Sequence, residues 1–236
     1  MIFGTSFFVN KFNELGIVSL PFLDSDIPFV PSTCCLGVVL DSKLNWNEHI
    51  LYICKRANTL MYRPNHFRRG TNFELRKHLI QSLLFPLVHY CCSVFCDISK
   101  GHKSTLQRVL NTEIRYIFGI RKSEHISPYR RQLGWLRVAG RREYFAACLL
   151  YKILSSGCPS YMTDFFIAKY SVYPVRGENP PTLVVPNSYT ESLRRSFHVT
   201  SSILWNSIPL HIRTVSSLIT FKRLINRHIF TAEGDV

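Results

Sequence analysis

The spacing of apolar residues along this chain changes character near Asp41. Before it, short apolar runs are separated by turn residues. After it, apolar positions recur three or four apart, as on the buried face of a helix. In the first part, Ile2–Val9 and Gly16–Leu23 read as strands. Asp24-Ser25-Asp26 supplies turn chemistry, and the prolines of Ile27-Pro28-Phe29-Val30-Pro31 restrict that segment to an edge or a loop. Cys34–Leu40 reads as a buried strand that ends at Asp41-Ser42.

From about Asn45 to Tyr62 the pattern predicts a helix with Ile50, Ile53, Cys54, Ala57, Leu60 and Met61 inward, ended by Arg63-Pro64. Thr71-Asn72-Phe73-Glu74 has the form of a capping box and opens a second helix. That helix carries Leu75, Leu79, Leu83, Leu84, Leu87 and Val88 inward, with a kink at Pro86. A third, from about Lys103 to Phe118, places Leu106, Val109, Leu110, Ile114 and Ile117 on one stripe and stops at Gly119. A short element near Tyr129–Leu133 precedes a long helix over about Gly140–Leu154. Residues 158–186 are irregular, with Pro174, Pro180, Pro181 and a strand candidate at Thr182–Val185. Helices at Val199–Asn206 and Ser217–Phe230 close the chain. The expected fold class is mainly α (α+β): a small N-terminal antiparallel β element, a helical bundle, and an irregular helical tail. The same breaks divide it into residues 1–41, 42–157 and 158–236, with 158–186 as the linker.

Charge changes the picture most. Lysine and arginine total 29 against 15 acidic residues, a net +14 that favours a polyanionic partner through counterion release. The eight cysteines, several in apolar runs with no signal peptide before them, predict reduced and mostly buried thiols in the cytosol or nucleus. No apolar stretch approaches the ~18 residues of a membrane span, so no membrane partner is expected.

The basic residues fall into groups. Lys55-Arg56, Arg63, Arg68-Arg69 and Arg76-Lys77 surround the first two helices. Lys100, Lys103, Arg108, Arg115 and Arg121-Lys122 form a second group. Within it Arg108 and Arg115, seven apart, share a helix face with Lys103 leading into it. Such a face suits a sugar–phosphate backbone without reading base sequence. Arg130-Arg131, Arg141-Arg142 and Arg194-Arg195 would extend it, although Glu143 beside Arg142 suggests a structural share. Asp24 and Asp26 are the only close aspartate pair and read as turn formers, not metal ligands. No motif frames a nucleophile or a phosphate loop. His89, Cys91, Cys92 and Cys96 lack paired CxxC spacing and read as thiols of a core helix, not a zinc site. Trp135 and Trp205 have apolar surroundings and read as core.

Several motifs carry a family resemblance. Leu36-Gly37-Val38-Val39-Leu40-Asp41 followed by Leu44, Trp46, His49 and Ile50 is one. Phe85-Pro86-Leu87-Val88-His89-Tyr90-Cys91, Leu106-Gln107-Arg108 with Asn111 and Arg115, Leu133-Gly134-Trp135-Leu136 with Arg141-Arg142, and Tyr151-Lys152-Ile153-Leu154 follow. Arg194-Arg195-Ser196-Phe197 with Leu204-Trp205-Asn206 and Pro209, then Phe221-Lys222, complete the order. Together they resemble the end of the palm, the thumb and the post-polymerase region of reverse transcriptases from jockey-like and related non-LTR retrotransposons. The resemblance spans about residues 2–230. It implies an RNA-directed DNA polymerase fragment whose residues 1–41 are residual palm strands and whose residues 42–157 are a thumb-like domain.

It further implies a primer grip at Leu36, Gly37 and Val38. Contacts to the template–primer backbone would come from Lys55, Arg56, Arg68, Arg69, Lys103, Arg108, Arg115, Arg121 and Lys122. The family's catalytic carboxylates have no counterpart here, and the motif's place near the N-terminus implies that the palm is missing or lies upstream. The expectation is therefore a non-catalytic chain with no cofactor, since Mg²⁺ serves only the palm, binding nucleic acid weakly. The alternative is a helical interaction or structural remnant of a degenerate mobile element. Such a remnant would take a protein partner through its exposed palm-facing surface.

Overall fold

The computed structural model describes residues 1, 3–4, 6–16, 19–66, 70–169 and 182–234. It is mainly α with a small N-terminal antiparallel β region, the class the apolar spacing predicts. Two hairpins make that region: β1 (Ser19–Phe22) with β2 (Ser25–Pro28), and β3 (Ser32–Cys35) with β4 (Val38–Asp41). Three readings are corrected here. A helix, α1 (Ser6–Glu14), stands where Ile2–Val9 reads as a strand. Phe8, Val9 and Phe12 continue at helical spacing, and Phe12 rests edge-on against Phe29 with ring centroids 5.4 Å apart. Cys34–Leu40 is two strands, because Leu36 (φ 47°) and Gly37 (φ 79°) form a two-residue turn. Two positive φ values give the turn a twist that matches its flanking strands. The first hairpin turns at Leu23-Asp24, with Ser25 and Asp26 already inside β2.

Next, α2 (Asn47–His66) runs past its expected stop, since Pro64 in the last turn removes one bond without ending the helix. The α3 helix (Phe73–Leu79) is capped by Asn72 rather than Thr71, its side chain accepting from Leu75 N at 2.8 Å. A π-helical turn, Ile80–Leu84, then leads into α4 (Phe85–His89). Pro86 has no N–H and its ring crowds the preceding turn, so the wider turn takes the place of a sharp kink. The extra residue rotates the buried stripe: Ile80, Leu84, Phe85 and Val88 are buried, while Leu75 and Leu83 are exposed.

The α5 helix (Lys100–Phe118) begins at the Ser99 cap and ends at Gly119 in the left-handed region. All five of its predicted inward residues are buried, along with Glu113 and Tyr116. The helices α6 (Ser127–Gln132) and α7 (Val138–Ser156) follow. The remainder holds α8 (Ser160–Thr163), the hairpin of β5 (Ala168–Lys169) and β6 (Thr182–Leu183), α9 (Glu191–Arg194), α10 (Phe197–Ser207), α11 (Leu210–Arg213) and α12 (Leu218–Ala232). Pro174, Pro180 and Pro181 lie outside the described residues.

Two apolar clusters form the core. One gathers α2, the π–α4 segment and α5 around Ile50, Ile53, Leu84, Phe95, Leu106 and Ile117. The other packs α7 against α10 and α12 around Leu150, Ile153, Trp205, Phe221 and Ile225. Close packing of α12 on α7 needs Gly140: a Cβ there would lie 2.4 Å from Glu233 Oε1 and 2.7 Å from Ile229 Cγ2. Trp135 and Trp205 are both buried, as read from the sequence. The thiols depart from expectation, since only Cys92 is fully buried and Cys34, Cys35 and Cys158 are exposed. Cys91, Cys92 and Cys96 lie in the turns after α4, not on a helix. Among the described residues, no helix is long and apolar enough to cross a membrane.

Candidate nucleic-acid interface

Residues 36–50 are held by two side chains that the chain cannot dispense with locally. Asp41 is 8% exposed, and its carboxylate accepts from the backbone N–H groups of Lys43, Asn45 and Trp46 at 3.0–3.2 Å. These bonds hold Leu44 (φ 50°) and Trp46 (φ 67°) in the left-handed region, which costs side-chain-bearing residues about 1–2 kcal/mol each. The Trp46 carbonyl then accepts the first helical bond, from Ile50 N at 2.9 Å. Three residues on, His49 Nδ1 accepts from Val39 N at 3.3 Å and ties α2 to β4. Burial and the charge of Arg142 lower the His49 pKa, which favours the neutral ring that this accepting Nδ1 requires.

The hairpin tip that carries Leu36 and Gly37 leans on Tyr90, whose hydroxyl donates to the Leu36 carbonyl at 2.9 Å. Leu36 is 86% exposed, whereas Val38 faces the core at 5%. Beside the tip lies a cleft of about 330 Å³ whose lining includes Gly37, Tyr52, Arg56, Pro86 and Tyr90. Two residues that the sequence reading names separately, Gly37 and Arg56, are thus brought to one cleft. Arg56 Nη1 donates to the Tyr52 hydroxyl at 2.6 Å, which aims the guanidinium along the helix.

A second cleft, about 580 Å³, runs along α5 and is lined by Arg108, Asn111, Thr112, Arg115, Tyr116, Ile120 and Lys122. Arg108 and Arg115 share it because seven residues bring a helix back to the same face, about 10 Å further along its axis. Lys122 joins from the loop after Gly119, where Arg115 Nη2 donates to the Lys122 carbonyl at 3.3 Å. Among the described residues, no carboxylate lines the cleft. The sequence reading missed Asn111, Thr112 and Tyr116, although their offsets of three, four and eight from Arg108 place them on this face. Gln107 and Asn111 also have a structural task. Gln107 Nε2 donates to Asn111 Oδ1 at 2.9 Å, and Gln107 Oε1 accepts from Val138 N at 2.9 Å, capping α7.

Other candidates lie apart. Lys103 is five residues from Arg108, about 140° round the helix. It faces α7 and α10 and pairs with Asp97 at 3.2 Å. Lys55 is exposed on α2 outside the hairpin cleft. Arg121 is exposed and lies off the cleft lining; its backbone N–H donates to Glu124, whose carboxylate is held below its usual pKa by that bond and by Tyr129. Arg68 and Arg69 lie outside the described residues.

Of the arginine pairs that would extend the surface, two are structural. Arg130 is buried, with Nη1 bonded to the Trp135 carbonyl at 2.8 Å and to Glu233 at 2.7 Å. Arg142 is buried beneath the turns after α4 and donates to the carbonyls of Cys92, Phe95 and Cys96. Its guanidinium lies 4.6 Å from the Phe95 ring centroid, and that of Arg141 lies 3.9 Å from the Phe85 centroid. Arg194 and Arg195 both pair with Glu191 at 2.8 Å. Comparison of the chain with protein-family models, with curated proteins and with solved structures gives no match.

Proposed function

We propose that this chain is a thumb-like fragment of a reverse-transcriptase-type polymerase that binds the backbone of a nucleic acid without reading its bases. The observation that carries the reading is the convergence of Arg108, Arg115 and Lys122 on one cleft with no lining carboxylate among the described residues. The axial separation of Arg108 and Arg115, about 10 Å, equals about three nucleotide steps of one strand. The polar residues between them, Asn111 and Thr112, add hydrogen-bond partners for phosphate or sugar oxygens. The ordered motifs of the sequence support the same reading, with the hairpin tip at Leu36-Gly37 as the primer-grip counterpart. No step of nucleotide transfer is assigned to these residues.

Filter binding of a primer–template duplex over a salt series tests the proposal. Three neutralised phosphates give log K against log salt a slope near −2.7. Arg108→Gln is the cleanest variant, because its guanidinium makes no hydrogen bond or ion pair among the described residues. It is expected to reduce the slope by about 0.9 and to weaken all sequences alike. A flat salt response, or an Arg108→Gln slope equal to that of the unmodified chain, refutes the assignment.

A second reading, an interaction protein, draws on a different observation. Phe3, Phe7 of α1, and Leu20, Phe22, Leu23 and Leu36 of the two hairpins are all exposed in the N-terminal region. Apolar surface so concentrated favours association. A clean monomer on size-exclusion chromatography at high concentration removes this reading.

A further inference from the structure

The second apolar cluster contains a pocket that backbone binding does not use. It measures about 380 Å³ and is walled by Tyr151, Phe166, Leu183, Trp205 and Val215. Its wall is rigid. The Tyr151 hydroxyl donates to the Val215 carbonyl at 2.6 Å, and its ring stacks on Phe221 with centroids 4.2 Å apart. The Asn206 side chain bonds both the N–H and the carbonyl of Leu183, at 2.8 and 2.9 Å, and so pins β6 in place.

One charged residue interrupts the lining. Arg213 borders the pocket, and its Nε and Nη1 atoms are out of solvent with no hydrogen-bond partner among the described residues. A buried donor without an acceptor carries an uncompensated desolvation cost, heavier still for a charged group. Among the described residues, no acidic side chain lines the pocket to meet it. An aromatic enclosure with a few convergent polar groups is the usual build of a small-molecule site.

We infer that this pocket binds a small hydrophobic monocarboxylate, its body against Phe166, Leu183 and Trp205 and its carboxylate on Arg213. A single cation matches one negative charge, and charge-assisted bonds to a guanidinium are the strong ones. Among the described residues the lining otherwise offers the hydroxyls of Ser155 and Ser216, the Trp205 indole N–H and the Tyr151 hydroxyl already bonded to Val215, with no amide or carboxylate side chain to match the paired donor and acceptor edge of a nucleobase. A carboxylate on an apolar ring system therefore fits where a nucleotide does not. The inference is independent of the cleft on α5, and Arg108→Gln leaves it untouched.

Isothermal titration of the full chain with naphthalene-2-carboxylate tests it. The expected result is saturable one-to-one binding with Kd below about 1 mM. The neutral naphthalene-2-carboxamide should bind at least tenfold more weakly, and Arg213→Gln should reduce the carboxylate to the level of the amide. Ala168→Trp, placed at the rim, should abolish binding of both and serves where Arg213→Gln lowers stability. Adenosine monophosphate is expected to bind more weakly than the carboxylate. Absence of saturable carboxylate binding, equal binding of acid and amide, or tighter binding of adenosine monophosphate overturns the assignment.

Discussion

Asp41→Asn isolates the side chain that organises the passage from β4 into α2. The carboxylate serves three backbone donors through four N–H···O contacts, two on each oxygen. Asparagine keeps one acceptor oxygen and replaces the other with a donor. Whichever way the amide turns, the oxygen that held Trp46 N, or the one that held Lys43 N, is lost. Retaining the oxygen on the Trp46 side leaves Lys43, whose N–H is solvated at little cost. Even so, the surviving bonds fall from charge-assisted to neutral strength, about 1 kcal/mol each. The left-handed residues Leu44 and Trp46 then lose part of what holds them. Together the loss is about 3 kcal/mol. In urea, with a slope near 3 kcal/mol/M for a chain of this length, the midpoint should fall by about 1 M. Circular dichroism at 222 nm follows the transition, and Asp97→Asn is the control. Asp97 is half exposed and pairs with Lys103, so its loss is expected to stay below about 1 kcal/mol. An Asp41→Asn midpoint within about 0.2 M of the unmodified chain, a fifth of the expected shift, refutes the organising role.

Gly140→Ala sets two effects against each other: up to about 1 kcal/mol gained in helix propensity, and a clash of the new Cβ with Glu233 and Ile229. Because Glu233 also pairs with buried Arg130, the clash should win by about 2 kcal/mol, lowering Tm by about 4–8 °C. Gly101→Ala meets only Ser99 Oγ at 3.8 Å and should be neutral or stabilising in the same melt. Two buried titratable groups shape the pH profile in opposite directions. Burial pushes Glu113 up from 4.5 to about 8, so the stability it carries is complete below pH 4.5 and is lost as pH rises through 8. Burial and the charges of Arg141 and Arg142 push His89 down from 6.5 to about 3, so its share is present above pH 6.5 and is lost as pH falls towards 3. Each limb changes by about 1.4 kcal/mol per pH unit at most. Denaturant midpoints measured from pH 3.5 to 8.5 should therefore show Glu113→Gln flattening the alkaline limb and His89→Gln the acid limb. If each variant runs parallel to the unmodified chain, both groups are solvated and the burial argument fails.

How much of the fold was legible depended on the length of each apolar pattern. The α5 helix carries five apolar positions in register between the Ser99 cap and Gly119, and every one is buried. Ile2–Val9 is too short for its period to choose between strand and helix. That choice turned on whether a neighbouring strand was there to pair with, and none is among the described residues. At Pro86 the sequence marked a disturbance but not its form, and the buried stripe runs through Ile80, Leu84 and Phe85 while Leu75 and Leu83 face solvent.

For the candidate site the division is sharper. The spacing of Arg108 and Arg115 was enough to place them on one face, because a helix's own geometry decides it. Nothing local separates Arg108 from Arg142, two arginines on amphipathic helices. Only the packing of α7 under the turns after α4 turned Arg142 inward onto three carbonyls, while Arg108 was left facing an open cleft. Lys103 was drawn away by Asp97, and Lys122 was brought in by a loop bond to Arg115. The sequence by itself determined the long amphipathic helices, such as α5 between Ser99 and Gly119, and the surplus of positive charge, since periodicity and composition are local quantities. Which of those charges remain free for a ligand was decided by tertiary structure, because the burial of Arg142 and Arg130 depends on partners 46 to 103 positions away.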